Sequence, residues 1–252
     1  MAIKYLKTKI KRYLQKKGYE IKVLNVRDIF SIRQTMEEAC MQLKTTGYYP
    51  DLVMDIGVAN GTLPLQNCFA QSFFFWIEPL VEFEEDLKRL KKEFTGDYEI
   101  TAVGKKEGVA IININDDLHG SSLLEPQDIS KTNIVKREIN VTTINSLAQK
   151  HNLGRFEKII IKLDVQGFEL DVLEGSGEIM NNVDIIILEV GLFRHYKSAP
   201  DFYEVVVAMK KMGFVVYDIV EGLNRPYDFA LSYKDLFFVK ENGSFRKSHS
   251  WQ

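Results

Sequence analysis

The chain has 252 residues, 45% of them hydrophobic, enough to fill the core of one large α/β domain. A formal charge of −2 argues against nucleic acid as the main partner, because a domain that neutralises phosphates is usually clearly basic. No stretch nears the roughly 18 consecutive apolar residues of a membrane span, and Cys40 and Cys68 make neither a disulfide framework nor a metal-ligand pair, so the expected setting is the reducing cytoplasm.

Charge is unevenly spread. Residues 1–24 hold eight lysines and arginines against Glu20 alone, leaving the remainder near −9. Within them Ile3, Leu6, Ile10, Tyr13 and Leu14 recur at helical spacing and predict a short basic amphipathic helix. Such a helix packs on the domain or makes peripheral contact with anionic lipid or a partner. A second helix is expected over Asp28 to Thr45, capped by Ser31-x-x-Gln34 and stopped by Gly47, which makes residues 1–48 a helical extension.

The main domain is expected over residues 49–242. Asp51 to Asp55 reads as a buried strand, and Thr62-Leu63-Pro64 opens a helix with an N-cap and a first-turn proline. Ser72 to Glu78 is aromatic and continuous, as for a central strand covered on both faces. Leu80, Phe83, Leu87, Leu90 and Phe94 mark an amphipathic helix, followed by a strand over Tyr98 to Val103. Residues 104–145 break the rhythm and read as an insertion with its own hairpin, Val109 to Ile114 and Glu138 to Thr143. Alternation returns with strand Lys158 to Asp164, helix Phe168 to Leu173, strand Asp184 to Val190, helix Asp201 to Met212 and strand Phe214 to Val220.

Asp235 to Lys240 is the last strand, before a tail over 243–252. A loop of about fifteen residues containing Pro226 precedes it, with no helical crossover, so it should run antiparallel to its neighbour. Repeated βα units predict a mostly parallel sheet with helices on both faces. Ligands of such sheets sit beyond the carboxyl ends of the strands.

At one such end stands VMDIGVANGT, residues 53–62. A dinucleotide turn reads G-x-G-x-x-G, whereas this one gives D-x-G-x-x-x-G through Asp55, Gly57 and Gly61. The missing middle glycine is the one that admits a pyrophosphate. A ligand without phosphate at that point, such as S-adenosylmethionine, has no need of it. Asp55 could then meet the ammonium of that ligand, and the N–H groups after Thr62 its carboxylate. Glu78 follows Gly57 by 21 residues at the end of the next strand, where an acid accepts both hydroxyls of a ribose.

Asp164 and Glu189 end two further strands and should face the same crevice. Lys162 lies two residues before Asp164 on the same side and needs a partner if buried, so these three form either an ion-pair network or the chemistry itself. A divalent ion could bridge Asp164 and Glu189. His119 and His195 fall in loops beside them, and His195 could act as a general base.

The runs DIGVANGTLPL, WIEPLVEFEEDL, HGSSLLEP, IKLDVQGFELDVLEGS, DIIILEV and KDLFFV, between about residues 50 and 240, resemble the FkbM family of S-adenosylmethionine-dependent methyltransferases. The resemblance implies a seven-stranded class I methyltransferase (Rossmann-like) sheet, with Asp55, Gly57, Asn60, Gly61 and Thr62 at the methionine end and Glu78 on the ribose. It implies transfer to a hydroxyl of a sugar, a surface glycan or a secondary metabolite; Asp164, Glu189 and His195 are then the candidates for the chemistry, and Ser122 of HGSSLLEP joins the expected cofactor contacts. Two departures stand out. The family often has A-N-x-G where this chain reads Ala59-Asn60-Gly61, and T-L-D where it reads Thr143-Ile144-Asn145.

Rival readings are a nicotinamide oxidoreductase, which should carry three glycines in the turn, and a cofactor-binding domain without activity. The acceptor would be chosen by the insertion and the loop from Gly191 to Pro200, where Phe193, Tyr196 and Phe202 could stack on a sugar ring.

Overall fold

A computed structural model describes residues 32–128 and 133–250. The basic helix expected in residues 1–24 lies outside them. Helix α1 (Met36–Thr45) begins later than expected: Thr35, not Ser31, is its cap. The Thr35 hydroxyl accepts from Glu38 N, and the Glu38 carboxylate accepts from Thr35 N. This box wins because it aligns Met36, Ala39, Cys40 and Leu43 into one buried stripe.

The main sheet contains β1 (Leu52–Ile56), β2 (Phe73–Glu78), β3 (Gly96–Ile100), β7 (Ile159–Leu163), β8 (Val183–Gly191), β9 (Phe214–Asn224) and β10 (Leu231–Lys240). Their spatial order is β3-β2-β1-β7-β8-β10-β9, and β10 runs antiparallel to both neighbours. The chain builds outward from β1 to β3, then returns to lay β7 beside β1. That reversal makes the carboxyl ends of β1 and β7 the switch point.

Strand alternation sends side chains to two separate cores. Met54, Ile56, Phe75, Ile161 and Ile186 pack on one face, under α4 (Ile144–Lys150), α5 (Glu169–Glu174) and α6 (Phe202–Lys211). Val53, Trp76, Ile160 and Ile187 pack on the other, under α1, α2 (Leu63–Cys68) and α3 (Glu84–Glu93). Both faces are dry, which is why these strands read as continuous apolar runs.

Three elements differ from expectation. The strand expected over Tyr98 to Val103 divides at Thr101: β3 stays in the main sheet, and β4 (Ala102–Val103) joins a second, three-stranded sheet with β5 (Gly108–Ile114) and β6 (Val135–Thr142). Helix α4 was hidden because seven residues give too few turns for a periodic signal. The fifteen-residue loop before the last strand is mostly strand, since β9 and β10 pair through register shifts and leave only residues 225–230 as the turn.

The second sheet sits over the end of β2. Its Ile112 and Ile114 bury against Leu80 and Phe83, which fastens the insertion above the strand ends. Among the described residues no helix is long and apolar enough to cross a membrane.

Candidate active site

A cavity of about 430 Å³ opens over the switch point, within the range of small-molecule sites. The glycine turn 57–62 and Glu78 form one end, residues 117–123 of the insertion the roof, and Asp164, Gln166 and Glu189 the far end. Asn60, Thr62 and Ser122 also line it.

The glycines of the turn serve the backbone more than a ligand. Gly57 adopts φ +76°, and a Cβ there would collide with the carbonyl oxygen of Asp164. The turns after β1 and β7 therefore touch through a residue that must be glycine. Backbone N–H groups of the turn are used within the protein: Gly57 donates to Ile77 O at 2.9 Å, Gly61 to Val58 O at 2.8 Å, and Ala59 to the Glu78 carboxylate at 2.9 Å. Asn60 has an exposed side chain, while its carbonyl accepts from Arg89.

Glu78 is buried at the end of β2, with its oxygens accepting from Ala59 N and Leu80 N. Burial pushes its carboxyl up to about 7, against the pull of those two N–H groups. The glutamate thus locks the glycine turn to the start of the next helix while one edge faces the cavity.

Asp55 differs from the expectation of direct ligand contact. It is fully buried and absent from the cavity wall, because it sits mid-sheet beside its register partner Lys162. Lys162 Nζ lies 3.9 Å from Asp55 Oδ1 and 3.2 Å from Asp164 Oδ2. Neither oxygen of Asp55 has a partner within 3.5 Å, but the Thr62 hydroxyl is near enough to join Lys162 in pulling its carboxyl down. Burial raises the Asp55 carboxyl, and the Lys162 charge opposes that rise. Burial also pulls Lys162 down, but Asp164, Asp55 and Asp235 outweigh it and hold the ammonium above its ordinary value.

Asp235 was not singled out from the sequence, yet it stands opposite Glu189 in the β8–β10 ladder. Burial lifts it to about 7, and burial with the nearby charges of Asp164 and Asp235 lifts Glu189 to about 9. The signal was available: an acid two residues before Phe237 falls on the same face as Lys162 and Glu189. Glu169, within the same QGFE run as Gln166, accepts from Val165 N and Gly167 N, and burial pushes it up to about 7.

Gln166 is the other residue missed. Its amide nitrogen donates to Asp164 at 2.9 Å and to Glu189 at 3.0 Å, filling the place expected for a bridging divalent ion. Among the described residues no three of His, Cys, Asp and Glu converge as metal ligands. The Gln166 side-chain oxygen lies 2.9 Å from the Tyr196 hydroxyl, and its backbone carbonyl accepts from Ser122 Oγ at 2.9 Å. Ser122, also accepting from Leu124 N, is therefore a strut between the insertion and the β7 turn.

His195 stands apart from the main cavity. Its Nε2 lies 2.6 Å from Ser232 Oγ and its ring stacks on Tyr233 at 4.9 Å, in a small recess behind Glu189. Burial lowers its basicity, with Arg225 adding to the effect. His119 does line the cavity, against the Phe83 ring. The aromatic residues expected to stack on a sugar are used internally: Tyr196 is buried, Phe202 packs on the core, and Phe193 is covered by the Arg225 guanidinium at 3.6 Å.

The donor set fits S-adenosylmethionine. The acids Asp164, Glu189 and Glu78 line the cavity, and among the described residues its one lysine, Lys162, is already held by carboxylates, so no free cation opposes a sulfonium.

Solved structures and a family model are similar to the chain. The chain resembles a magnesium protoporphyrin IX methyltransferase from Synechocystis crystallised with bound S-adenosylmethionine, at 14% identity and a TM-score of 0.43, covering 93% of this chain and 96% of that one. It also resembles a precorrin-6y C5,15-methyltransferase from Geobacter metallireducens, at 10% identity and a TM-score of 0.42, covering 83% and 91%. No curated protein matches the chain in sequence. The model of the methyltransferase FkbM domain matches residues 55–216, from Asp55 of the glycine turn into β9, and the chain belongs to that family of S-adenosylmethionine-dependent methyltransferases.

Proposed function

We propose that the protein methylates a hydroxyl group, on a sugar or surface glycan before other secondary metabolites, with Asp164 as the base. S-adenosylmethionine supplies an electrophilic methyl when bound. Glu78 would hold its ribose, the turn from Gly57 to Thr62 would flank its methionine end, and the Asp164 carboxylate at the far end would favour its positive charge. The acceptor hydroxyl would then lie beside Asp164, which takes its proton as the oxygen attacks.

One observation carries the choice of base. Asp164 keeps 30% side-chain exposure at the cavity, whereas Asp55 is fully buried and Glu189, pushed up to about 9, already holds a proton at neutral pH. His195 sits behind Glu189, so it positions the wall rather than reaching a substrate.

Two measurements test the reading. Isothermal titration with S-adenosylmethionine, S-adenosylhomocysteine and NAD should show binding of the two adenosyl compounds alone. Methyl transfer to a panel of hydroxylated acceptors, sugars first, should fall by roughly 100-fold or more in Asp164→Asn, well beyond any loss of cofactor affinity. Unchanged turnover in Asp164→Asn would remove the base assignment, and binding of NAD alone would remove the cofactor.

A further inference from the structure

The chain's two cysteines, Cys40 and Cys68, are both free thiols, and neither lines the cavity over the switch point. Cys40 belongs to the buried stripe of α1, and Cys68 is the last residue of α2. These two helices pack against each other over the face of the sheet that carries Val53 and Trp76. The packing brings the sulfurs together. Cys68 Sγ lies 3.9 Å from the carbonyl oxygen of Glu37, one turn of α1 before Cys40, and the two thiols hydrogen-bond to each other.

Their surroundings differ. Cys40 is fully covered, whereas Cys68 is 7% exposed and borders a second cavity, of about 770 Å³. Pro50, Asp51, Ser72 and Phe73 place that cavity at the amino ends of β1 and β2, the opposite end of the strands from Glu78 and Asp164. Lys44 and Arg155 also line it. The hydrogen bond from Cys40 favours a thiolate at Cys68 against the penalty of burial, and Lys44 adds to the pull. The same bond raises Cys40, and burial raises it further. One sulfur is thus reachable and ionises more readily, while the other is enclosed and keeps its proton.

We propose that Cys40 and Cys68 are a redox-sensitive pair, oxidised by hydrogen peroxide to a reversible disulfide that staples α1 to α2. The Cys68 thiolate attacks one peroxide oxygen: an S–O bond forms, the O–O bond breaks, and the departing hydroxide takes a proton to become water. The sulfur is oxidised by two electrons and the peroxide is reduced. The Cys40 sulfur then attacks the sulfenic acid on Cys68. The S–S bond forms, the S–O bond breaks, and the hydroxyl leaves with the Cys40 proton as a second water. Cys68 is the sulfur that meets the oxidant and Cys40 the one that resolves it, because Cys68 alone borders a cavity. A thiol reductant restores the pair by exchange, so in a reducing compartment the staple is transient.

Brief exposure of the full chain to hydrogen peroxide, read by mass spectrometry, tests this. Expected are loss of two hydrogens from the intact chain, a linked Cys40–Cys68 peptide, no covalent dimer, and reversal by dithiothreitol. The oxidised chain should melt about 3 °C or more higher, since the bond closes a long loop of the unfolded chain. In Cys40→Ser the peroxide should leave a sulfenic acid on Cys68 that dimedone traps, whereas in Cys68→Ser the remaining thiol should react about tenfold or more slowly. Two thiols still free after treatment, cross-linking between chains, a lower melting temperature, or dimedone labelling of Cys68→Ser in place of Cys40→Ser would overturn the inference. Should either variant fail to fold, the linked peptide and its reversal in the wild-type chain decide alone.

Discussion

Lys162 and Asp55 are register partners on adjacent parallel strands, with Nζ and Oδ1 3.9 Å apart in an interior where Asp55 is fully buried. The lysine is the cation that allows Asp55, Asp164 and Asp235 to share one end of the sheet. Lys162→Met, similar in size and uncharged, should cost about 3–5 kcal/mol by leaving buried acids uncompensated. Urea denaturation checks it, and a loss under about 1 kcal/mol would mean the acids are neutral in the folded chain.

Gly57 should tolerate no side chain. Gly57→Ala adds a left-handed strain and drives a methyl into the Asp164 carbonyl, so the turns after β1 and β7 must part. A loss of roughly 3 kcal/mol or more is expected, together with weakened cofactor binding. Gly47, with φ +79° but open space around it, should lose less in the same thermal-melt comparison.

Glu78→Ala should weaken S-adenosylmethionine and S-adenosylhomocysteine equally, by about 1.5–3 kcal/mol, since the lost hydrogen bonds serve the adenosine common to both. Calorimetric titration of each ligand reads this directly. A loss confined to S-adenosylmethionine would place Glu78 near the sulfonium instead.

Stability without ligand should fall as pH rises from about 5 to 9. Glu189 keeps its proton to about pH 9 when folded, while an unfolded glutamate loses it near 4.3. Between those values the folded chain binds more protons than the unfolded chain, so alkali favours unfolding, and the penalty is complete above the folded value. Glu78, Glu169 and Asp235, each up at about 7, add to the lower half of the window. Thermal melts across this range should show a slope that Glu189→Gln flattens, and a Tm independent of pH would refute the account.

His195→Ala should reduce turnover far less than Asp164→Asn, by roughly tenfold at most, because its nearest polar partner is Ser232 rather than the cavity. A loss of 100-fold, with the pH profile shifted, would restore it as the base.

Much of the site could be read from the order of residues alone. Asp55, Glu78, Lys162 and Glu189 end apolar strands in phase with Val53, Trp76, Ile160 and Ile187, and a repeat of two residues puts them all on one face of a parallel sheet. The glycine turn and the strand–helix rhythm are equally local, since chain geometry over five to ten residues decides them. What the tertiary structure decided is which of these groups meets the cavity. Burial of Asp55 depends on Lys162 lying beside it, more than a hundred residues away, and the bridge from Gln166 to Asp164 and Glu189 closes only when β7 and β8 pair. The β9–β10 hairpin likewise extends past its apolar residues because backbone pairing, blind to side-chain pattern, carries the ladder on through register shifts. Periodicity reports the face a side chain takes, whereas its charge, partners and access to solvent are set by neighbours distant in sequence.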